Sequence, residues 1–256
     1  MIISLHDLTI GLFIFARIAG LFAFAPLYNA RTIPTWVKAA LIFWLTMVLW
    51  YVVPTPNNLP AGAFSFLIGL VIEVAVGAFL GMLCQILFIA VQSAGELADT
   101  QMGLSVAAAF DPIFGASVSV VGRLTFYFAL TVFIMLNGHH LIIEGLVKSF
   151  EILPIGGNIV IHPVTFEMVL DVCATFWITT IKIAAPPVML IFLSDFAFGI
   201  VSRVAPQVNV FMLGFQVKPT LGLLGILFSI GLLTQHIEYL ILNIYQEMIK
   251  FSYILR

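Results

Sequence analysis

Five charged residues lie inside or beside long apolar stretches of the sequence: Arg17, Glu73, Asp171, Lys182 and Asp195. On translocon-type scales a charge at the centre of a membrane helix costs roughly 2.5–3.5 kcal/mol, so none of these side chains is expected to face lipid. We predict that all five are buried in contacts between helices; the alternative is that one of them carries protons or a substrate. Asp171 and Lys182 are about 16 Å apart along a helix. They therefore need partners elsewhere, which indicates other subunits.

A second candidate for chemistry is His139-His140, which is followed by Glu144. The helix of a zinc protease carries H-E-x-x-H, with two histidines one turn apart. Here only His140 and Glu144 share a helix face, and two ligands are too few for a metal site. Capping or hydrogen bonds between helices are the better interpretation. The sequence also lacks a nucleophile elbow, a Walker A loop and a dinucleotide fingerprint, so we predict no enzyme, no cofactor and no metal.

The composition restricts the elements that must position these residues. Of the 256 residues 62% are hydrophobic and 9% are charged, whereas soluble domains have about 45–50% and about 25%. A soluble globular enzyme and a disordered chain are thereby excluded, and a net charge of −2 offers no basic surface to nucleic acid. We predict a polytopic membrane protein. Its first apolar segment is expected to be retained, because no basic region of a signal peptide precedes it. Cys84 and Cys173 are expected to be small buried hydrophobic residues.

Six apolar stretches approach or exceed the roughly 20 residues that cross a bilayer. They are Leu8–Leu27, Trp36–Val53, Phe64–Ala94, Leu124–Ile143, Met168–Leu193 and Val210–Leu233. No alternation with the period of a strand appears, so the predicted fold class is all-α, without an internal domain boundary. Phe64–Ala94 would be about 46 Å long as a helix. His236–Arg256 is expected to be a separate amphipathic helix that packs on a partner or lies at the membrane interface.

Small residues and charges add two weaker observations. Gly77 and Gly81 form a GxxxG pair, which indicates that one side of this helix is crowded. The basic residues of alternate loops number four on one side and three on the other, which does not orient the protein.

The segment from Gly95 to Gly122 combines small residues with two bulky aromatic residues around Asp111-Pro112. An Asp-Pro pair disfavours helix before the proline. The segment is therefore either a turn between helices or a re-entrant pore element, since irregular backbone at membrane depth persists only inside protein or beside a cavity.

Ordered sequence blocks indicate a family. The most specific block runs from Asp195 and Gly199 through Arg203-Val204-Ala205-Pro206-Gln207-Val208-Asn209 to Gly214-Phe215 and Lys218. The others are Arg31-Thr32-Ile33-Pro34 with Lys38, Ala94-Gly95-Glu96 with Gln101-Met102-Gly103-Leu104-Ser105 and Asp111-Pro112, Asn137-Gly138-His139, and Ser149-Phe150 with Leu153-Pro154-Ile155-Gly156. Over nearly its whole length the chain resembles the FliR/SctT family, the export-gate proteins of flagellar and injectisome type III secretion. Gln216 departs from the family pattern, which prefers proline there. Asn137-Gly138-His139-His140 looks more flagellar than injectisome.

The resemblance implies an architecture and a set of partners. A FliP-like part, approximately residues 1–195, would be fused to a FliQ-like hairpin, residues 196–256. The chain would join FliP-like and FliQ-like subunits in a closed, helically staggered cone, with an FlhB-like partner, in lipid of the bacterial inner membrane at the flagellar basal body or injectisome base. Unfolded substrate polypeptides would cross the membrane through this cone.

The resemblance also implies roles for particular residues. The segment 106–122 is expected to form a plug inside the pore, with Val106, Phe110, Asp111, Pro112, Phe114, Gly115 and Ser117 as its candidate residues. A second group is expected to order the last hairpin and its contacts with other subunits: Arg203, Pro206, Gln207, Asn209 and Lys218. In that turn Pro206 should end a helix, while Arg203 and Gln207 offer hydrogen bonds at the break.

The alternative function is a small-solute or ion permease that uses Glu73, Asp171 and Asp195. Such transporters usually have paired, helix-broken repeats around a site at the membrane midplane. Here a single break at Pro186-Pro187 has no counterpart. An intramembrane hydrolase would need a pair of nucleophile and base that the sequence does not offer. The export-gate subunit is therefore the predicted function.

Overall fold

Seven α-helices form the part of the chain that the computed structural model describes, which comprises residues 5–28, 33–54, 62–104, 119–156 and 163–255. They are α1 (Leu5–Phe24), α2 (Thr35–Trp50), α3 (Ala63–Met102), α4 (Val120–Met135), α5 (Gly138–Ile152), α6 (Pro163–Val204) and α7 (Val210–Ile254). No strand occurs among these described residues. The predicted all-α class is confirmed.

Several helices differ in length from the apolar stretches of the sequence. The stretch Leu124–Ile143 is two helices, because Asn137 adopts a left-handed conformation with φ of 56° and α4 and α5 are bent by 70° at the break. In contrast, α7 contains both Val210–Leu233 and the amphipathic segment from His236 onward, so the prediction of a separate C-terminal helix was wrong. The two segments form one continuous helix because no helix-breaking residue lies between them.

Four of the described helices are long and apolar enough to cross a membrane, namely α1, α3, α6 and α7. The bent pair α4–α5 could provide a fifth span, whereas α2 has only 16 residues. In the described part of the chain, not all of the six apolar stretches therefore correspond to a helix of spanning length. The excess length of the third stretch is confirmed, since α3 has 40 residues.

The chain divides into two compact units. The first contains the described residues of 1–87, 134–172 and 240–256, and the second contains those of 88–133 and 173–239. The division into a FliP-like part and a FliQ-like hairpin at residue 195 stays a prediction.

Glycines bring α1 and α3 together in the first unit. A Cβ atom on Gly77 would fall on the carbonyl oxygen of Arg17, and one on Gly20 would fall on the carbonyl oxygen of Val74. A Cβ on Gly81 would also meet backbone of α1, at 2.6 Å. The crowded face predicted from the Gly77–Gly81 pair is confirmed.

In the second unit a glycine likewise allows a close approach, here between α3 and α4. A Cβ atom on Gly95 would collide with the side chain of Thr125. The Thr125 hydroxyl donates a hydrogen bond across this crossing to the carbonyl oxygen of Val91, at 3.2 Å. Beside it lies a buried apolar cluster of Ala98, Met102, Val121, Ile191 and Ile226. The two cysteines fall in different units: Cys84 is buried, as predicted, whereas Cys173 is exposed.

The α1–α3 crossing gives a first prediction. Gly77→Ala places a methyl group against a backbone oxygen that cannot turn away, so the free energy of unfolding should fall by about 1–3 kcal/mol. Gly199→Ala is the matched control, because no atom lies within 4 Å of a Cβ at that position, and alanine favours a helix by roughly 1 kcal/mol over glycine. Thermal unfolding in detergent, followed on the chain within its complex with the partner subunits that the resemblance implies, measures both variants. Equal melting temperatures for the two would contradict the close crossing.

Candidate functional site

The first candidate site surrounds Arg17, which is fully buried in the first unit. Its Nε atom lies 2.6 Å from a carboxylate oxygen of Glu73 on α3. Nη1 donates a hydrogen bond to Ser149 Oγ at 3.2 Å, and Nη2 donates one to the carbonyl oxygen of Leu153 at 3.1 Å. The guanidinium carbon lies 4.1 Å from the centre of the Phe150 ring. All three nitrogens of the guanidinium thus have a partner.

The sequence around each partner explains its position. Glu73 lies one turn before Gly77, so the glycine crossing places its carboxylate beside α1. Ser149 belongs to the last turn of α5, and the amide of Leu153 closes that turn by donating to the Ser149 carbonyl oxygen at 2.9 Å. Arg17 therefore links α1, α3 and the end of α5. Because Glu73 is only 4% exposed and already paired, this cluster stabilises the fold and does not present a charge to a passing solute.

Three of the residues that contact Arg17 could not be found from the sequence, namely Ser149, Phe150 and Leu153. Ser149 is 132 positions away from Arg17 and Leu153 is 136 away, and no periodicity relates the two segments. The family resemblance contains Ser149-Phe150 and Leu153 as one of its sequence blocks, but it does not relate them to Arg17. A serine in the last turn of an apolar helix was the one available signal.

The burial predicted for Asp171, Lys182 and Asp195 does not occur within this chain. Asp171 and Lys182 occupy exposed positions of α6 and form no ion pair with any described residue. Asp195 has a side chain 43% exposed. The reason is that the chain's own helices cover little of α6, whose most apolar stretch is only 22% buried.

The second candidate site is the turn between α6 and α7, in the second unit. The helix ends at Val204, just before Pro206, as predicted. Arg203 and Gln207 are exposed, however, and their side chains make no hydrogen bond to the described residues. Asn209 supplies the cap, because its side-chain oxygen accepts a hydrogen bond from the Met212 amide at 3.2 Å. This geometry is that of a helix N-cap.

An ion pair joins the two helices beyond this turn. Lys218 Nζ on α7 lies 2.6 Å from Asp195 Oδ1 on α6. Gly214 lies one turn before Lys218, and a Cβ atom at position 214 would make an ordinary van der Waals contact with the lysine Cε atom, at 3.7 Å. On the sequence alone Lys218 belongs with the turn residues and Asp195 with the buried charges, whereas the two side chains are paired in the structure.

The ion pair borders a groove of about 410 Å³. One wall is the end of α3, Thr100–Gly103, and the other contains Phe198, Phe211 and Phe215 of the hairpin. Gly103 ends α3 with φ of +81°, a conformation that favours glycine at this position after a helix. From this end of α3 the chain continues to the segment 105–118.

Hydrogen bonds order the described residues on both sides of that segment. On the near side, the Gly103 amide donates to the Thr100 carbonyl oxygen at 3.1 Å. On the far side, the Gly122 amide donates to Ser119 Oγ at 2.8 Å. The Val121 amide points at the buried carboxylate of Asp99 on α3, at 3.4 Å, and the N-terminus of a helix favours such a negative charge. The predicted plug residues themselves lie outside the described residues: Val106, Phe110, Asp111, Pro112, Phe114, Gly115 and Ser117.

These features define a helical protein of the polytopic membrane class, with buried charges that fasten its helices. The family described as "Bacterial export proteins, family 1" matches this chain over residues 8–244. The chain therefore belongs to this family, and the predicted FliR/SctT membership is confirmed.

Individual relatives agree with this assignment. The chain is 31% identical over 231 residues to the flagellar biosynthetic protein FliR of Pectobacterium carotovorum subsp. carotovorum, covering 90% of this chain and 88% of the relative. It is 32% identical over 207 residues to FliR of Escherichia coli strain K12, covering 81% and 78%. The secretion system apparatus protein SsaT of Salmonella typhimurium strain LT2 is 30% identical over 164 residues, covering 64% and 63%.

The Arg17 cluster gives a second prediction. Arg17→Met leaves the Glu73 carboxylate buried without its partner, which should lower the free energy of unfolding by about 3–5 kcal/mol. The double variant Arg17→Met/Glu73→Leu removes both charges and should lose clearly less than the two single variants together. Thermal unfolding of the four proteins, each within the complex with its partner subunits, forms a double-mutant cycle. Additive losses would show that the two side chains do not interact.

Proposed function

We propose that this chain is a subunit of the type III protein export gate and forms part of the pore through which unfolded polypeptides cross the inner membrane. The observation that carries the proposal is membership of the bacterial export family over residues 8–244. Its relatives include flagellar biosynthetic proteins and a secretion-system apparatus protein. The four apolar helices of spanning length are consistent with a location in a membrane.

The partners are FliP-like and FliQ-like subunits and an FlhB-like subunit, in the bacterial inner membrane at a flagellar basal body or an injectisome base. Incomplete burial supports an assembly. The most apolar stretches of α6 and α7 are 22% and 28% buried, against 56% for those of α1 and α3. Exposed Asp171 on α6 also supports contact with protein instead of lipid, because an ionised carboxylate is costly in hydrocarbon.

The part of the segment 106–122 that precedes α4 serves as the plug of the pore in this proposal. Contacts among described residues order the helices on either side, since the Val121 amide lies 3.4 Å from the Asp99 carboxylate and the Gly103 amide donates to the Thr100 carbonyl oxygen at 3.1 Å. These contacts support displacement of the plug without loss of the flanking helices. Burying the rings of Phe110 and Phe114 in the closed pore would contribute roughly 1.5–3 kcal/mol each, which an arriving polypeptide could offset. Gly115 is proposed as the pivot, because glycine tolerates the backbone angles that movement requires.

A permease that uses Glu73 has less support. This carboxylate is 2.6 Å from Arg17 and nearly inaccessible, so a solute or proton would have to break the buried pair. Seven relatives that extend over at least 80% of this chain are all flagellar proteins, which supports flagellar over injectisome substrates.

Assembly provides the direct test of this function. Produced alone, the chain should aggregate or unfold, because its exposed apolar faces and unpaired charges lack their partners. Co-expressed with FliP-like and FliQ-like subunits, it should purify through a tag as one detergent-stable complex, identified by mass spectrometry. A stable monomer with cooperative unfolding, which the partners do not bind, would contradict the proposal.

The plug gives a separate prediction in cells that contain the whole complex. Deletion within 106–119, or replacement of Phe110 and Phe114 by Gly, should leave the amount of complex unchanged and make the membrane permeable to small ions. Gly115→Val should slow export without a leak, because the branched side chain restricts the backbone. Ion flux and secreted substrate measure the two effects. A deletion that assembles normally in a tight membrane contradicts the plug, while the assembly test still stands.

A further inference from the structure

The exposed face of α6 around Lys182 has a charge that the proposed pore does not use. Residues 172–194 separate Asp171 from Asp195, and Lys182 is the one charged side chain among these 23 residues. A helix of this length spans about 34 Å, close to the roughly 30 Å of bilayer hydrocarbon. Lys182 therefore lies near the middle of an apolar stretch of spanning length.

Three exposed apolar side chains flank Lys182 on α6. One turn before it is Ile178, and one and two turns after it are Ala185 and Met189; all three are exposed. From α7, His236 is close enough for its charge to interact with that of Lys182. Lys182 forms no ion pair or hydrogen bond with the described residues. We call this surface, formed by these five residues, the Lys182 face.

We propose that the Lys182 face binds an apolar helix of a neighbouring subunit that presents an Asp or Glu to Lys182. The inference rests on the proposed function, since it assigns one contact within the export gate. Two properties of the face define the occupant. Exposed apolar side chains on both sides of Lys182 require an apolar partner, and a cation with no counter-charge requires a carboxylate, because an unpaired charge in hydrocarbon is costly.

A lipid phosphate is a poorer counter-ion at this position. Lysines near the end of a membrane helix extend their ammonium groups to the headgroups. Lys182 is at least ten residues, about 15 Å, from either end of the apolar stretch. The carboxylate must therefore come from a side chain at the same depth, which only another helix can supply. The low burial of α6 within the chain leaves space for such a helix.

Substitutions of Lys182 test this contact in the co-expressed complex, quantified by native electrophoresis after purification through a tag on this chain. Lys182→Arg should keep the amount of complex, because the charge remains. Lys182→Met should lower it by at least about threefold and Lys182→Glu by at least about tenfold, since the first leaves the partner carboxylate unpaired and the second opposes it with a like charge. Lys148→Met is the matched control. Lys148 is also exposed, but it pairs with Glu151 of its own helix at 2.9 Å, and loss of such a surface pair costs little.

A reversal experiment identifies the partner residue. Asp and Glu residues in the apolar helices of the partner subunits are changed one at a time to Lys in the Lys182→Glu background, and one of these changes should restore the complex. A photo-crosslinking residue at position 185 should attach to the same subunit. Complexes of Lys182→Met and Lys182→Glu that equal the wild type, or crosslinks to lipid alone, would overturn the inference. Failure of the wild-type chain to form any complex would overturn the proposed function as well.

Discussion

A guanidinium group buried among apolar helices constrains the whole first unit. Arg17 needs an anion and further acceptors within hydrogen-bond distance, because an unpaired charge at such a place would cost several kcal/mol or more. Glu73 supplies the anion only because glycines let α3 approach α1 to backbone contact. Ser149 and the carbonyl of Leu153 complete the shell, and they can do so only where α5 ends. The helix crossing, the length of α5 and the ion pair thus depend on one another.

The charged side chains of the second unit are less buried and less completely paired. Asp195 is paired, but with Lys218 at a half-exposed position of the α6–α7 hairpin, and Lys182 remains exposed without a carboxylate. Arg17 shows that this chain can supply a buried cation with all of its partners from its own residues. The exposed cation and the poorly covered helix are both consistent with the proposed assembly, in which other subunits would complete the second unit. The buried Arg17–Glu73 pair needs no counter-charge from another chain, whereas Lys182 is proposed to receive one from a neighbouring subunit.

The sequence predicted those features that depend on local chemistry. The all-α class, the end of α6 before Pro206 and the crowded Gly77–Gly81 face each follow from propensity or residue size over a few positions. The helix boundaries that were wrong depend on single backbone angles or on the absence of a break: Asn137 divides one stretch by adopting positive φ, and α7 runs uninterrupted through two stretches. Burial was predicted from apolar flanks alone, which cannot distinguish a helix covered by its own chain, as at Arg17, from one left open, as at Lys182. The pairing of Asp195 with Lys218 could not be predicted, because it depends on how α6 and α7 pack against each other in the hairpin.

The described residues on either side of the segment 105–118 bear on its proposed role as a plug. A plug must leave its pore without disturbing the helices that form the wall, and must return to the same position. Among the described residues, the close crossing of Gly95 with Thr125, the contact of the Val121 amide with Asp99 and the glycine end of α3 order the helices on both sides of the segment. If the segment is the plug, as proposed, burying its two aromatic rings would contribute roughly 1.5–3 kcal/mol each to the closed state. A gate for unfolded chains would require such a weakly held closure beside well-packed helices, because a closure that shared contacts with those helices would open only by unfolding them.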